Sequence, residues 1–408
     1  MYNVLGITSG IGSMLIPYHF DKNLSEKCKV IGNVEWREYY GETRLFESNF
    51  NSAYTENLSD LSGVRPDIVM SHPECGAYSA LKFGGKEVEF DGKESDIDDA
   101  YSKILESSPL LFSMDNLHKS LITFGTDYIK DKMKDYDIFF EPVSNYHYGN
   151  SQKSRKRFFI IGARKELGFV FVPGEKVNSK TIETVIGDLP EYDLPEIEHI
   201  HYKDEIIYSF QVNSESELIM SGGTPLSFNR LAEILKLLPA GGSIPYKARD
   251  GQMKKRIGIT VNKKNYPSNT LFSGGGNGSP SLFHPYTFLP LTLRERARIQ
   301  GFPDSFSLSM PHIDKSIKKF FMGNKVTGKS MPVEFSRFTA NQFVDFLDGR
   351  EMETSGDRLY VNIPDIITKN KIQYCQDVGY TNQEKACEHC WVKDYCPVRP
   401  SPIFSFFT

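Results

Sequence analysis

Along the first 165 residues, short apolar runs alternate with turn-rich or amphipathic stretches. "MYNVLGI", "KVIGNVEW", "PDIVMS" and "PLLFSMDN" read as four successive strands, and "YDIFFEPV" and "RFFIIGARK" as a fifth and a sixth. Between them lie segments such as "YTENLSDL" and "LITFGTDYIKDKMKDY". Strand-length apolar runs separated by helical periods predict βαβ units, and hence an α/β fold with a mostly parallel sheet covered by helices on both faces. From 166 to 285 the rhythm breaks. "KLLPAGGSIPYKARDGQMKKR", "NKKNYPSN" and "SGGGNGSP" are rich in Gly, Pro and basic residues and predict a smaller, loop-rich domain. Helical periodicity returns over 286–348, in "LTLRERARIQGF" and "FTANQFVDFLDG", and residues 349–408 form a short tail. No internal repeat is visible.

The chain has 408 residues, 39% of them hydrophobic and 25% charged, which is ordinary for a folded protein and excludes fibre and disorder. No apolar run reaches the length of a membrane span, and no charged-then-apolar leader opens the chain, so no membrane partner and a cytoplasmic location are expected. The net charge of −4 does not announce a nucleic-acid binder, but local basic stripes are what contact phosphate. Lys247, Arg249, Lys254, Lys255, Arg256, Lys263 and Lys264 form one such cluster, and Lys315, Lys318 and Lys319 another. They fit a one-sided DNA surface or a merely solvated one. Nothing in the pattern indicates an oligomeric state.

Several strand ends carry candidate chemistry. Gly10 and Gly12 follow the first strand, where glycines let backbone approach a nucleoside closely, although a tight turn explains them equally. Glu35 ends the second strand, the place for an acid that accepts ribose hydroxyls, with Trp36 beside it to cover an adenine face. After the third strand comes "SHPECGAYS", which holds Cys75 on a turn, as a nucleophile or a structural thiol. Asp115 ends the fourth strand and could bond a substrate ring or simply be solvated. Arg155 and Arg157 precede the sixth on alternating positions that share a face, suiting a polar substrate or an exposed charge run. "LPLTLRERARIQGFPDSF" opens with a Thr292-x-x-Glu295 capping box and continues as a basic amphipathic helix to Gly301-Phe302-Pro303.

That last string resembles the ninth motif of the DNA cytosine-5 methyltransferases, and the other motifs then fall into the family's order. "TSGIG" is similar to the S-adenosylmethionine (SAM) loop and "NVEW" to the ribose-binding acid. "PDIVMSHPECGAYS" resembles the Pro-Cys nucleophile loop, with Cys75, Tyr78 and Ser79 in matching places. "FSMDNL" resembles the Glu-Asn-Val motif, "RKRFFIIG" the paired-arginine strand, and "FFMGNKV" the Gly-Asn motif that closes the cofactor pocket. The resemblance implies a Rossmann-like SAM-dependent methyltransferase sheet over 1–165, a target-recognition domain over 166–285 and a return to the catalytic domain over 286–348. It implies that Cys75 attacks C6 of a cytosine flipped out of double-stranded DNA, with Asp115, Arg157 and the supporting Arg155 holding the ring while C5 takes a methyl group. Gly10, Ile11, Gly12, Glu35, Trp36 and Asn324 would surround SAM, with Asn57 or Asp60 at its adenine.

The sequence departs from the family at several places. Asp115 replaces a glutamate, Glu74 a proline and Gly76 a glutamine. Thr8 stands for an adenine-stacking phenylalanine, Leu289 for an arginine and Thr327 for a proline, while Gln152 is one residue out of register. An anion at Glu74 would oppose thiolate formation. These departures leave room for a weakly active DNA-binding relative, or for transfer of another one-carbon or modified group to pyrimidine C5. RNA methylation is a further alternative. A nicotinamide oxidoreductase would explain Gly10, Gly12 and Glu35 but not the later motifs. The tail adds Cys375, Cys387, Cys390 and Cys396, whose C-x11-C-x2-C-x5-C spacing predicts a 4Fe-4S cluster or a zinc site.

Overall fold

The computed structural model describes residues 1–36, 41–61, 63, 65–74, 95–116, 126–153, 155–174, 177–189, 260–271, 282–287, 291–310, 313 and 316–350, with isolated strands between 206 and 254. Seven strands form the main sheet: β1 (Tyr2–Ile7), β2 (Cys28–Val34), β3 (Ala53–Thr55), β4 (Ile68–Ser71), β5 (Leu111–Asn116), β6 (Tyr136–Ser144) and β7 (Lys156–Arg164). Their order is β3-β2-β1-β4-β5-β7-β6, parallel except that β7 runs antiparallel to both neighbours. The six expected strands are present. The added one, β3, is a three-residue edge strand whose "AYT" is partly exposed and carries no strand-length apolar run.

Alternating side chains divide the sheet between two cores. Val4, Ile68, Leu111, Phe159 and Ile161 pack on one face with α1 (Ile16–Phe20), α2 (Lys22–Ser25) and α3 (Glu42–Phe50). Leu5, Val69, Phe112, Phe158 and Ile160 pack on the other with α4 (Ser95–Ser107) and α5 (Thr126–Lys132). Each such buried side chain contributes about 2 kcal/mol relative to exposure. Three late helices complete the first core. After the short α6 (Ile182–Ile186) come α7 (Leu293–Ile299), α8 (Ser316–Lys329) and α9 (Val333–Leu347), which supply Leu293, Val326, Phe335 and Phe343. The chain's last described helices therefore close over the sheet built by its first residues.

Between β7 and α7 the described strands are short. Met253–Lys254, Tyr246–Lys247, Glu217–Met220 and Phe210–Ser214 line up in one sheet, Leu226–Ser227 pairs with Ile206–Tyr208, and Gly242–Ser243, Thr260–Val261 and Leu282–Phe283 form a third. No helix among the described residues is long and apolar enough to cross a membrane.

Candidate active site

Strand order reverses between β1 and β4, and at the carboxyl ends of these strands the sheet opens into a cleft. Thr8, Ser9, Gly10 and Ile11 line it from β1, Glu35 and Trp36 from β2, and His72 and Glu74 from β4. Glu42, Asp96, Val326, Lys329 and Ser330 complete the wall. Gly10 and Gly12 both adopt positive φ, 54° and 82°. A Cβ on Gly12 would lie 2.5 Å from the Phe50 ring, so backbone and packing both require glycine there. Thr8 also has a positive φ, 52°, and its hydroxyl donates to the Ile7 carbonyl. Asn324 is buried, and neither of its amide atoms has a partner among the described residues. A glycine cradle, an acid at the ribose position and an unanswered buried amide fit a polar nucleoside ligand such as SAM. Asn57 and Asp60 do not join them; both are exposed and neither lines the cleft.

Deeper in the wall lies a group of three ionisable side chains whose meeting follows from strand register. β4 and β5 pair Ser71 with Met114, so the next residues, His72 and Asp115, stand side by side. β5 and β7 pair Asp115 with Phe159, which puts Arg157, two residues before Phe159, on the same face. Arg157 Nε donates to Asp115 Oδ2, and His72 Nδ1 meets Asp115 Oδ1. The other imidazole nitrogen, Nε2, lies 3.0 Å from the Lys329 carbonyl. Asp115 is wholly buried. Burial alone would raise its pKa, but Arg157 and His72 outweigh that and lower it to about 2.

Arg155 is placed differently from its partner in the motif. Its guanidinium donates to the carbonyls of Leu271, Gly328, Lys329 and Ser330, so it fixes the segment that forms the cleft's far wall. The α7 motif has a similar task. Its capping box forms as expected: Thr292 Oγ1 accepts from the Glu295 amide at 3.2 Å, and Glu295 accepts from the Thr292 amide at 2.8 Å. Arg294 and Arg296, however, are buried rather than turned to solvent as a basic amphipathic helix would have them. Arg294 binds the Pro303 and Phe306 carbonyls, and Arg296 the Asn324 carbonyl and Thr327 hydroxyl. Gly323 lets α8 approach α7, since a Cβ there would fall 2.3 Å from Leu293. Two departures from the family pattern are accounted for in the same place. Thr327 accepts from Arg296 and donates to the Gly323 carbonyl, and Gln152 donates to Gln300 while accepting from the Leu271 amide.

Glu74 is met by Lys329, whose ammonium lies 2.7 Å from its carboxylate, so the anion expected to oppose a neighbouring thiolate has a cation against it. His72, Lys329, Ser330, Glu42 and Asp96 are cleft residues that the sequence did not single out. Cys75, Tyr78, Ser79, Gly76 and Leu289 lie outside the described residues, as do Cys375, Cys387, Cys390 and Cys396. In the basic stretch, Lys263 sits over the Tyr266 ring at 5.4 Å and Lys264 over Tyr286 at 5.8 Å, both rings being well exposed.

Comparison with known proteins agrees with this geometry. Residues 2–345 match the family described as C-5 cytosine-specific DNA methylase. The type II methyltransferase M.NgoBI of Neisseria gonorrhoeae is 25% identical over 351 residues, spanning 82% of this chain and 90% of the relative. M.Sau96I of Staphylococcus aureus is 22% identical over 378 residues, spanning 85% and 76%. Among solved structures, a Spodoptera frugiperda DNMT2 variant shares the fold with a TM-score of 0.53 at 12% identity, covering 84% of this chain and all of that one. With the family matched over residues 2–345, the chain belongs to the C-5 cytosine-specific DNA methylases, which move a methyl group from SAM to C5 of cytosine in DNA.

Proposed function

We infer that this chain methylates cytosine in double-stranded DNA through a covalent bond from Cys75 to C6, with Asp115 and Arg157 holding the flipped base. The observation that supports it best is the buried Asp115–Arg157 pair, at the strand end adjoining the strand that leads to Cys75 and beside the glycine-lined cleft. When bound, SAM supplies an electrophilic methyl group. Gly10, Ile11 and Gly12 would let its backbone neighbours approach, Glu35 would take the ribose hydroxyls, Trp36 would cover the adenine and Asn324 would answer a polar edge. Glu42 and Asp96, both buried in the cleft wall, suit a cationic sulfonium donor.

The protein's own part in the reaction follows from its charges. Thiolate addition to C6 pushes an electron pair toward N3 and O2 of the ring. Arg157 and the Asp115 site face that developing charge from a wall shielded from water, where such interactions count most. Arg155 holds the wall rather than the base. Lys263 and Lys264, each over an exposed tyrosine ring, support a phosphate-contacting surface.

The test is duplex DNA carrying 5-fluorocytosine, with SAM, read by mass. An adduct one methyl heavier than protein plus DNA is expected, and it is absent in Cys75→Ala. DNA binding without an adduct overturns the methyltransferase reading, and a heavier transferred group redefines the donor. The four tail cysteines lie beyond the family match, and we assign them to one metal centre. Equimolar zinc, or four irons with sulfide, in the purified full chain sorts the two expected occupants, and neither overturns the assignment.

A further inference from the structure

The wall of the cleft carries four carboxyl groups, on Glu35, Glu42, Glu74 and Asp96, and one ammonium, on Lys329. Three of these five side chains already have a task. Glu35 stands at the ribose position, and Lys329 lies 2.7 Å from Glu74, so that pair offsets itself. The excess of acid among the lining residues therefore comes from Glu42 and Asp96. They are 5% and 2% exposed and reach the cleft from opposite faces of the sheet, Glu42 as the first residue of α3 and Asp96 from the first turn of α4. Glu42 is the better placed. A Cβ on Gly10 would lie 3.6 Å from its Oε2 and 3.7 Å from its Oε1, so both oxygens face the backbone of the glycine loop. Because residue 10 is glycine, no side chain of the loop takes up the space in front of that carboxylate. The amino end of α3 also favours a negative charge at this position.

We propose that Glu42 is the residue by which this cleft distinguishes the charged methyl donor from its spent form. It holds SAM through the positive charge of the sulfonium, and it holds the product, S-adenosylhomocysteine, only weakly. The inference rests on the methyltransferase reading above and concerns the same cleft. In the transfer the methyl group leaves sulfur for C5 of cytosine, and the electron pair of the broken bond stays on sulfur. Donor and product therefore differ by one methyl group and one positive charge. The ribose is the same in both, so Glu35 does not tell them apart. A carboxylate within a few ångström of an ionisable group favours its charged form over the neutral one by about 10-fold or more. Burial strengthens that preference, since little water stands between the two charges. The acid that draws the donor in thus ceases to favour the cofactor once the methyl is gone. Accumulating product then inhibits this protein little.

The test is titration calorimetry of the full chain with three ligands, each alone: SAM, S-adenosylhomocysteine, and sinefungin, in which a carbon-bound amine replaces the methylsulfonium. The wild type is expected to bind SAM and sinefungin at least about 10-fold more tightly than S-adenosylhomocysteine. Sinefungin carries the charge without the methyl, so its grouping with SAM separates charge from shape. Glu42→Gln keeps the shape of the side chain and loses its charge. It should bring the ratio of SAM to S-adenosylhomocysteine affinity to about one by weakening both cationic ligands, with the product bound within about twofold of wild type. Glu42→Ala removes the same charge without burying an amide, and it decides the matter if the glutamine variant does not fold. Thermal unfolding without ligand identifies which variants are folded. Equal wild-type affinities for donor and product overturn the proposal and leave the methyltransferase reading standing. So does a preference that survives in the folded variants, or one lost because all three ligands weaken alike. If the wild type binds neither SAM nor S-adenosylhomocysteine, that reading itself has failed, and the proposal with it.

Discussion

Arg155 and Arg157 lie two residues apart, and both are nearly fully buried, yet they do different work. Arg157 meets the buried Asp115 carboxylate, which His72 touches from the other side. Arg155 donates to backbone carbonyls, as does Arg294, and Arg296 donates to a carbonyl and a hydroxyl. One set answers charge with charge and leaves a reactive, pH-sensitive surface. The other spreads charge over peptide dipoles and ties separate segments of chain together. A motif arginine is therefore not evidence of chemistry until its partner is known. Arg294 and Arg296 of the α7 string that first points to the family are scaffold by this measure, because they fasten the turn after α7 and the Gly-Asn segment, whereas Arg298 of the same string pairs with Asp188 and Asp304.

The division is most severely tested at Arg157. Arg157→Met leaves the Asp115 carboxylate buried without its guanidinium, a change that typically costs about 3–5 kcal/mol of stability. Adduct formation should fall at least about 100-fold, because a donor to the developing charge is lost. Single-turnover kinetics and thermal unfolding on the same preparation would measure both. Arg296→Gln should behave the other way. Two buried contacts to Thr327 and Asn324 are lost or lengthened, costing about 2 kcal/mol, while the rate at saturating SAM falls little. A large drop in that rate at unchanged stability would break the division.

Acid should separate the two sets without mutation. The Asp115 carboxyl titrates near 2 in the folded protein against an ordinary value near 4, so ionised Asp115 favours the fold at neutral pH by about 2 kcal/mol. That stability is fully present above about pH 4 and is lost as pH falls through the range toward 2. Denaturant midpoints of wild type and Asp115→Asn should therefore converge on acidification across that window. Those of Arg296→Gln should stay offset from the wild type.

The sheet was largely legible because its strands are apolar runs cut off by Gly, Pro or Asp, and the capping box at Thr292 is a local hydrogen-bond pattern. β3 was not, since three half-exposed edge residues leave no period. The antiparallel turn of β7 depends on which strand it joins, which no local pattern encodes. The candidate site divides along the same line. Asp115 and Arg157 are visible as strand-end charges, but the contact of His72 with Asp115 exists only once β4 and β5 are in register. The inward turn of Arg294 and Arg296 depends on carbonyls up to 28 residues away, and a charged face on paper reads as solvated.

Glu74 shows the same limit and carries the smallest effect expected here. Taken alone, it is an anion next to the nucleophile and argues against activation. In the fold it faces Lys329, 255 residues away, at 2.7 Å. Both side chains are about a quarter exposed, so the pair is worth under about 1 kcal/mol of stability, and either single variant should unfold close to wild type. The informative readout is the acid side of the pH–rate profile for adduct formation, which reports thiolate at Cys75. Glu74→Gln removes the anion and leaves the ammonium, so the ascending limb should move to lower pH. Lys329→Met removes the cation and leaves the carboxylate, so the limb should move to higher pH. Opposite displacements would place Glu74 and Lys329 with the charge-answering set, as a balanced pair set beside the thiol. Coincident limbs in the two variants would return them to the scaffold, and the Glu74 substitution would then have no bearing on the nucleophile.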